Sequence, residues 1–153
     1  PEMLEELQKI DQQSLEIDAE YPFILSAGER RTETANTAVR DSSWHKKGSF
    51  AALRLSPQDA ESLGCETGDT VRLSTRRATA EVAVEISDMM QLGHISIPNG
   101  VGLDYRDKEG LLVRKGLAPN EFTDTSRRDF LAGTPWHKHV PAKLERVAGS
   151  KAA

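Results

Sequence analysis

Residues able to do chemistry gather late in this chain. Between Ala118 and His139 stand Asn120, Thr123, Arg127, Arg128, Trp136, His137, Lys138 and His139. Two more arginine doublets, Arg30-Arg31 and Arg76-Arg77, and the polar side chains of Asn36, Thr37 and Asn99 lie upstream. Arginine forks match phosphate oxygens, and side-chain amides match the edges of heterocycles. Two readings stay open on residue types alone: irregular segments ordered around an anionic polar ligand, or ordinary solvated loops. His137-x-His139 can set two imidazoles on one strand face. Zinc needs three or four ligands, and no nearby Cys or carboxylate pair completes such a set. Cys65 follows Gly64 where a small apolar side chain tucks beneath a helix end. With no base or cation beside it, this thiol is expected to be buried and inert. Gly93, Gly100, Gly102 and Gly110 spell neither GxGxxG after a strand nor a Walker A loop, which excludes those two phosphate-binding designs.

The totals bound what can position these groups. A chain of 153 residues suits one domain, and an apolar fraction of 37% implies a modest core with long irregular segments or reliance on a partner. Net charge is -4 but unevenly placed. Residues 1–20 carry seven acids against Lys9, a balance of -6, and the remainder carries 19 bases and 17 acids, a balance of +2. A nearly neutral body with an acidic lead does not point to nucleic acid or to a membrane surface. One cysteine rules out an internal disulfide and a Cys-rich metal site, and a cytoplasmic setting is the default expectation. No apolar run approaches the ~20 residues that span a bilayer. The start at Pro1, leading straight into an acidic helical pattern, looks like a cut from something longer.

Along the chain, Met3, Leu4, Leu7, Ile10, Leu15 and Ile17 fall thinly at helical spacing, giving a short helix and a linker over 1–20. Phe23-Ile24-Leu25 reads as a strand, and the polar run from Glu29 to Lys47 has no core face and so is either functional or disordered. Phe50 to Leu55 reads as a second strand. Ser56-Pro57 opens a helix and Gly64 closes it, the serine as N-cap, the proline at the first turn, the glycine in the left-handed C-terminal position. Thr70–Thr75, Ala80–Ile86 and His94–Ile97 alternate as strands, and Val140–Val147 supplies the last. Regularity fades from Gly102 to Gly133, and residues 148–153 look like a frayed, disordered tail. Short strands, one short helix and Gly-Asp turns suggest a small closed β-barrel, mainly β with short helices.

Several separated pieces then line up. Pro22-Phe-Ile-Leu-Ser-Ala-Gly-Glu-Arg-Arg-Thr32, Leu55-Ser-Pro-Gln-Asp-Ala60 with Leu63-Gly-Cys-Glu-Thr-Gly-Asp-Thr-Val-Arg-Leu73, Gly93-His-Ile-Ser-Ile-Pro-Asn-Gly100, Asn120-Glu-Phe-Thr123 and Pro135-Trp-His-Lys138 stand in order over residues 21–147. In these the chain resembles the C-terminal dinucleotide-binding domain of molybdopterin-dependent oxidoreductases, the group of formate dehydrogenases, nitrate reductases and dimethyl sulfoxide reductases. The resemblance implies a six-stranded double-psi β-barrel over 21–147. It implies a molybdopterin guanine dinucleotide cofactor, carrying molybdenum or tungsten in the full enzyme. Ser26, Ala27, Gly28, Glu29 and Arg31 would form the first cofactor-facing loop, continued by Asn36 and Thr37. Asn99 and Gly100 would follow the central strand, and Asn120 and Lys138 would line the pterin side. Thr34 and Ala35 depart from the aromatic or His found there in many relatives. No catalytic or metal-ligating residue is assigned, because those belong to domains outside this chain. The chain by itself is therefore expected to be inactive, with the rest of the parent oxidoreductase as its partner. The alternative is a free-standing barrel acting as an interaction or assembly module, its arginine doublets contacting a protein.

Overall fold

Alternation of buried and outward residues dictates most of this architecture. In the computed structural model, which describes residues 2–9, 19–31 and 48–151, eight strands and three short helices follow one another. The strands are β1 (Phe23–Glu29), β2 (Leu53–Leu55), β3 (Asp69–Thr75), β4 (Thr79–Ile86), β5 (His94–Pro98), β6 (Asp104–Arg106), β7 (Leu112–Arg114) and β8 (Val140–Lys151). The helices are α1 (Glu2–Gln8), α2 (Pro57–Leu63) and α3 (Pro119–Phe122), and a 3-10 turn occupies Gly48–Ala51. α1 buries none of its residues.

Six strands close a barrel in the order β1-β5-β2-β4-β3-β8, with β8 returning to β1. Two of the pairings, β1 with β5 and β2 with β4, are parallel, and the other four are antiparallel. Parallel neighbours cannot be joined by a hairpin and need a crossover. β2 reaches β4 through α2 and β3, and β1 reaches β5 only after all of these. The two interlocked crossovers make this the double-psi β-barrel that the resemblance implied. Inward residues such as Leu25, Leu53, Leu55, Val71, Leu73, Ile95 and Ile97 are wholly buried and fill the interior. Each such side chain contributes roughly 1.5–3 kcal/mol by leaving water.

α2 forms for the local reasons read from its ends. Ser56 Oγ accepts from Asp59 N at 3.1 Å, Pro57 takes the first turn, and Gly64 adopts φ 65° and ψ 38°. Asp59 is also a tie to the barrel: its carboxylate accepts from Ser56 Oγ at 2.7 Å and from the Gly93 amide at 2.9 Å, at the entry to β5.

The structure departs from the sequence expectations in three places. The segment before β2 is the 3-10 turn rather than strand, and β2 is only three residues. The short helix expected in the acidic lead is α1, while residues 10–18 of the expected linker lie outside the described residues. β8 runs on to Lys151, past the last apolar residue of its pattern at Val147. The segment 102–133, which lacks apolar periodicity, is nonetheless structured. β6 and β7 form a hairpin there, held by Arg114 to Asp104 at 2.8 Å, and Arg114 also reaches Glu121 of α3 at 3.0 Å. Gly102 lets this arm cross the strand end closely: a Cβ on it would overlap the backbone of Leu117 and Ala118. The Gly102 amide donates to Lys115 O at 2.8 Å. Phe122 then inserts into the barrel core, 1% exposed, and α3 packs against β1.

Candidate functional site

The end of β1 is where these constraints meet. β1 and β5 run parallel with Ser26 opposite Ser96 and Ala27 opposite Ile97, then the register shifts so that Glu29 faces Pro98. The extra residue is Gly28, at φ 89°. A bulge of this kind re-aims the following side chain. It turns Glu29 back over the outer face of the sheet, and it leaves the Ala27 and Gly28 carbonyls to be met by a side chain. Lys138, just before β8, turns its ammonium onto those carbonyls, 2.5 Å from Gly28 O and 3.4 Å from Ala27 O. His137 O accepts from the Ala27 amide at 2.7 Å, and Glu29 O from the Asn99 amide at 2.9 Å. The Asn99 side chain lies directly against Gly28 and is exposed. Gly100, at φ 78°, turns the chain away.

Ala27, Gly28, Glu29, Asn99, Gly100 and Lys138 are thus brought to one end of the barrel. Ser26 joins them on the wall of an open groove of about 300 Å³ that also takes in Glu29, Met90, His94, Ser96 and Lys138. Asn120 is exposed on α3, beside β1. Asn36 and Thr37 lie outside the described residues.

Arg31 behaves differently from the expectation that it faces a ligand. Its side chain is 3% exposed and its guanidinium is engaged by protein. Nε and Nη2 donate to Glu29 Oε2 at 3.0 and 2.9 Å, and Nη1 donates to the Ser49 and Phe50 carbonyls, both at 3.1 Å. The Glu29 carboxylate also accepts from Ser96 Oγ at 2.7 Å and from Arg54 Nη1 at 2.6 Å. Arg54 Nε in turn donates to Glu85 at 2.9 Å. Sequence reasoning missed Arg54, Glu85 and Ser96. Their only signal is a charged or hydroxyl residue at an outward position of an alternating strand, which is common on any surface.

The charges respond to this packing. Burial pushes the Glu29 carboxyl up, but the Ser96 hydrogen bond and the Arg31 and Arg54 guanidiniums outweigh it and hold the group below its ordinary value. Burial pushes Arg31 down, against the pull of Glu29. The fork to Glu85 is the main cause raising Arg54. Burial also lowers the Lys138 ammonium, with Glu29 opposing and Arg30 adding to the shift. Cys65 is buried, and burial followed by the Asp69 charge pushes its thiol up, as its position after Gly64 implied.

The late polar stretch from Arg127 to Lys138 is folded rather than loose. Arg128 and Pro135 form an isolated bridge, the Trp136 amide donates to Arg127 O at 3.0 Å, and Arg127 sits 5.9 Å over the Trp136 ring. This turn delivers Lys138 to β1 and walls a smaller cavity of about 110 Å³ with Thr75, Arg77, Phe122 and Asp124. His137 Nδ1 is within 2.9 Å of Pro135 O. Among the described residues no group of three or more His, Cys, Asp or Glu is arranged to hold a metal. The three arginine doublets do not all share one patch: Arg31 is inside, whereas Arg76, Arg77 and Arg127 line the smaller cavity together, with Arg76 5.3 Å over the Tyr21 ring.

An ammonium and an exposed amide beside the Gly28 bulge suit an anionic ligand with a heterocyclic part. The family model described as "Molydopterin dinucleotide binding domain" matches residues 23–141. A tetrathionate reductase chain of Salmonella typhimurium strain LT2 is 26% identical over 147 residues, covering 84% of this chain and 14% of that protein. Periplasmic nitrate reductase of Desulfovibrio desulfuricans is 31% identical over 85 residues, covering 54% of this chain and 11% of that protein. The chain therefore spans only a small part of either relative. Among solved structures, acetylene hydratase from Pelobacter acetylenicus has the same fold, with a TM-score of 0.60 at 22% identity, over 83% of this chain and 18% of that one.

Proposed function

Because this chain belongs to the molydopterin dinucleotide binding domain family, we propose that the bulged end of β1 with Asn99, Gly100, Asn120 and Lys138 is where it holds the cofactor. The chain is the dinucleotide-binding part of a molybdenum or tungsten oxidoreductase. The observation that carries the site assignment is the convergence of Lys138, Asn99 and the Gly28 bulge on one strand end.

The residues fit a pterin dinucleotide in a particular way. Gly28 leaves room for the Asn99 side chain to lie flat against the bulge, which presents that amide at the strand end. The Lys138 ammonium, held on two carbonyls, suits diphosphate oxygens. The Asn99 amide can both donate and accept, as a guanine or pterin edge requires. Ser26 adds a hydroxyl in the adjoining groove. Arg31 stands behind this surface and supports it. When bound, the cofactor supplies the redox-active metal at which substrate is transformed, and this chain's residues bind and orient its nucleotide arm.

For the whole enzyme we propose a small oxidisable or reducible substrate. Formate follows from the family likeness, and the two relatives are named for tetrathionate and nitrate. We propose a cytoplasmic setting for the parent, a reading supported by the low cysteine usage of this chain; recovery of the native protein in a periplasmic fraction would reverse it.

Titration of the chain with guanosine diphosphate, followed by amide chemical shifts, tests the site. Shifts at residues 26–29, 99–100, 120 and 138 are expected. Shifts confined to the Thr75–Trp136 cavity, or none at all, would overturn the assignment.

A further inference from the structure

We propose that the groove beside β1 recognises the exocyclic amine of a guanine or pterin ring through the Glu29 carboxylate, with Met90 as the wall against which the ring lies. This rests on the function proposed above and gives it a base specificity.

Glu29 is the one carboxylate on the lining of this groove, and its side chain keeps 26% of its surface exposed. Its two oxygens are used unequally. Oε2 accepts from Arg31 Nε, Arg31 Nη2 and Ser96 Oγ. Among the described residues Oε1 accepts one hydrogen bond, from Arg54 Nη1 at 2.6 Å, and a carboxylate oxygen has a second lone pair. That position suits a donor arriving from the groove. An amine carries two N–H groups, one for Oε1 and one for the hydroxyl of Ser26 on the same lining. Glu29 and Glu85 are balanced by Arg31 and Arg54, so the network is neutral and does not repel a phosphate. The positive charge for that phosphate comes from Lys138, on the same groove.

The wall is placed by the turn between β4 and β5. Ser87 N donates to Leu55 O and Met90 N to Ser87 O, each at 3.0 Å, and Gly93 N donates to Asp59 of α2 at 2.9 Å. Both ends of the turn are thus tied to the barrel. Met90 Sδ lies 3.9 Å from Ser96 Oγ, the hydroxyl that donates to Glu29, so the thioether stands beside the carboxylate. Thioethers make favourable contacts with aromatic rings. Lys138 lines the groove and also rests on Gly28 O, and the Asn99 side chain packs on Gly28. A dinucleotide with its diphosphate at Lys138 therefore has the groove for one ring and Asn99 for the other.

The methionine methyls are direct probes: Met89 and Met90 line the groove, and Met3 on α1 is a control. With these methyls isotope-labelled, guanosine diphosphate is expected to shift the Met90 signal and leave Met3 unmoved. Inosine diphosphate, which lacks the amine, is expected to bind about tenfold more weakly by calorimetry, the scale of one hydrogen bond to a charged acceptor. Glu29→Gln is expected to cut that preference to about threefold, the scale of a neutral hydrogen bond. Met90→Ala should weaken both nucleotides alike and keep the preference. If Glu29→Gln does not fold, the two nucleotides compared on the wild-type chain decide alone. Pterin by itself separates the two sources of the ring: a Met90 shift gives the groove to the pterin end, and no shift leaves it to guanine. Equal affinity for the two nucleotides, or an unmoved Met90 methyl while the Asn99 and Lys138 amides shift, overturns the groove reading alone. A chain that does not bind guanosine diphosphate overturns the proposed function and the groove reading with it.

Discussion

The Asn99 side chain fills the space into which a Cβ on Gly28 would project, with Asn99 Cγ 3.0 Å from that position and the amide oxygen closer still. Gly28 also sits at φ 89°, where other residues are strained. Gly28→Ala is therefore expected to cost about 2 kcal/mol, or roughly 4–8 °C in Tm for a domain of this size. In an Asn99→Ala background the same substitution should cost less, because only backbone strain remains. Thermal melts of the four chains measure both parts. Equal costs in the two backgrounds would mean that Asn99 gives way freely and that the close approach has no consequence.

Arg31 is the most deeply buried charge at the site. Among the described residues, removing it leaves Glu29 and Glu85 with Arg54 as their one guanidinium partner and takes a donor from the Ser49 and Phe50 carbonyls. Breaking a buried pair from one side costs about 3–5 kcal/mol, and the partial exposure of both carboxylates puts Arg31→Ala toward the lower end. A fall in Tm on the order of 10 °C follows. Arg31→Lys keeps the charge but cannot span Glu29 and the two carbonyls with one planar group, so it should fall between. Circular dichroism melts decide this. A near wild-type Tm for Arg31→Ala would restore the side chain to a ligand-facing role.

How much of this was legible in the sequence depends on distance along the chain. α2 could be read completely, because Ser56, Pro57 and Gly64 each act within a few residues of where they stand. The alternation of Val82, Val84 and Ile86 gave β4 for the same reason. The β6–β7 hairpin could not be read, since residues 104–106 and 112–114 bury no face and are held by Arg114 and its carboxylate partners. The charge network was hidden more deeply. Arg54 meets Glu29 across 25 positions and Glu85 across 31, and Ser96 meets Glu29 across 67. Such contacts exist only once barrel register is set. Gly28, Asn99 and Lys138 were found through motif likeness, and the geometry then supplied the reason they stand together.

Glu29 makes stability depend on pH in a defined direction. Its carboxyl lies below the ordinary value in the folded chain: burial raises it, but Ser96, Arg31 and Arg54 pull it down further, with Glu85 and Lys138 the other charges nearby. The unfolded value is about 4.3. The stabilisation is therefore complete above that pH and is lost as pH falls through the folded value. Urea midpoints measured from pH 6 down to pH 3 should drop for the wild-type chain. Glu29→Gln should start lower at pH 6 and show a shallower slope below about pH 4.3. Parallel curves for the two chains would assign the acid sensitivity to other carboxylates.

Lys138 differs from Arg31 in what its loss should do. Its ammonium rests on the Gly28 and Ala27 carbonyls at the open rim, so water can replace it there. Lys138→Met keeps most of the stem, and its effect on folding should be within about 1 kcal/mol, the net worth of an ordinary hydrogen bond. Binding is another matter, because a bound diphosphate loses its only lysine at this strand end among the described residues. A charge-assisted hydrogen bond contributes about 1.5–3 kcal/mol, so affinity for guanosine diphosphate should fall at least tenfold. Lys138→Arg should recover part of this, with its fork reaching the phosphates but fitting the two carbonyls less well. Melting and calorimetry on the same preparations separate the two effects. A large Tm loss with unchanged affinity would make Lys138 a clasp between β8 and β1 and take it out of the binding surface.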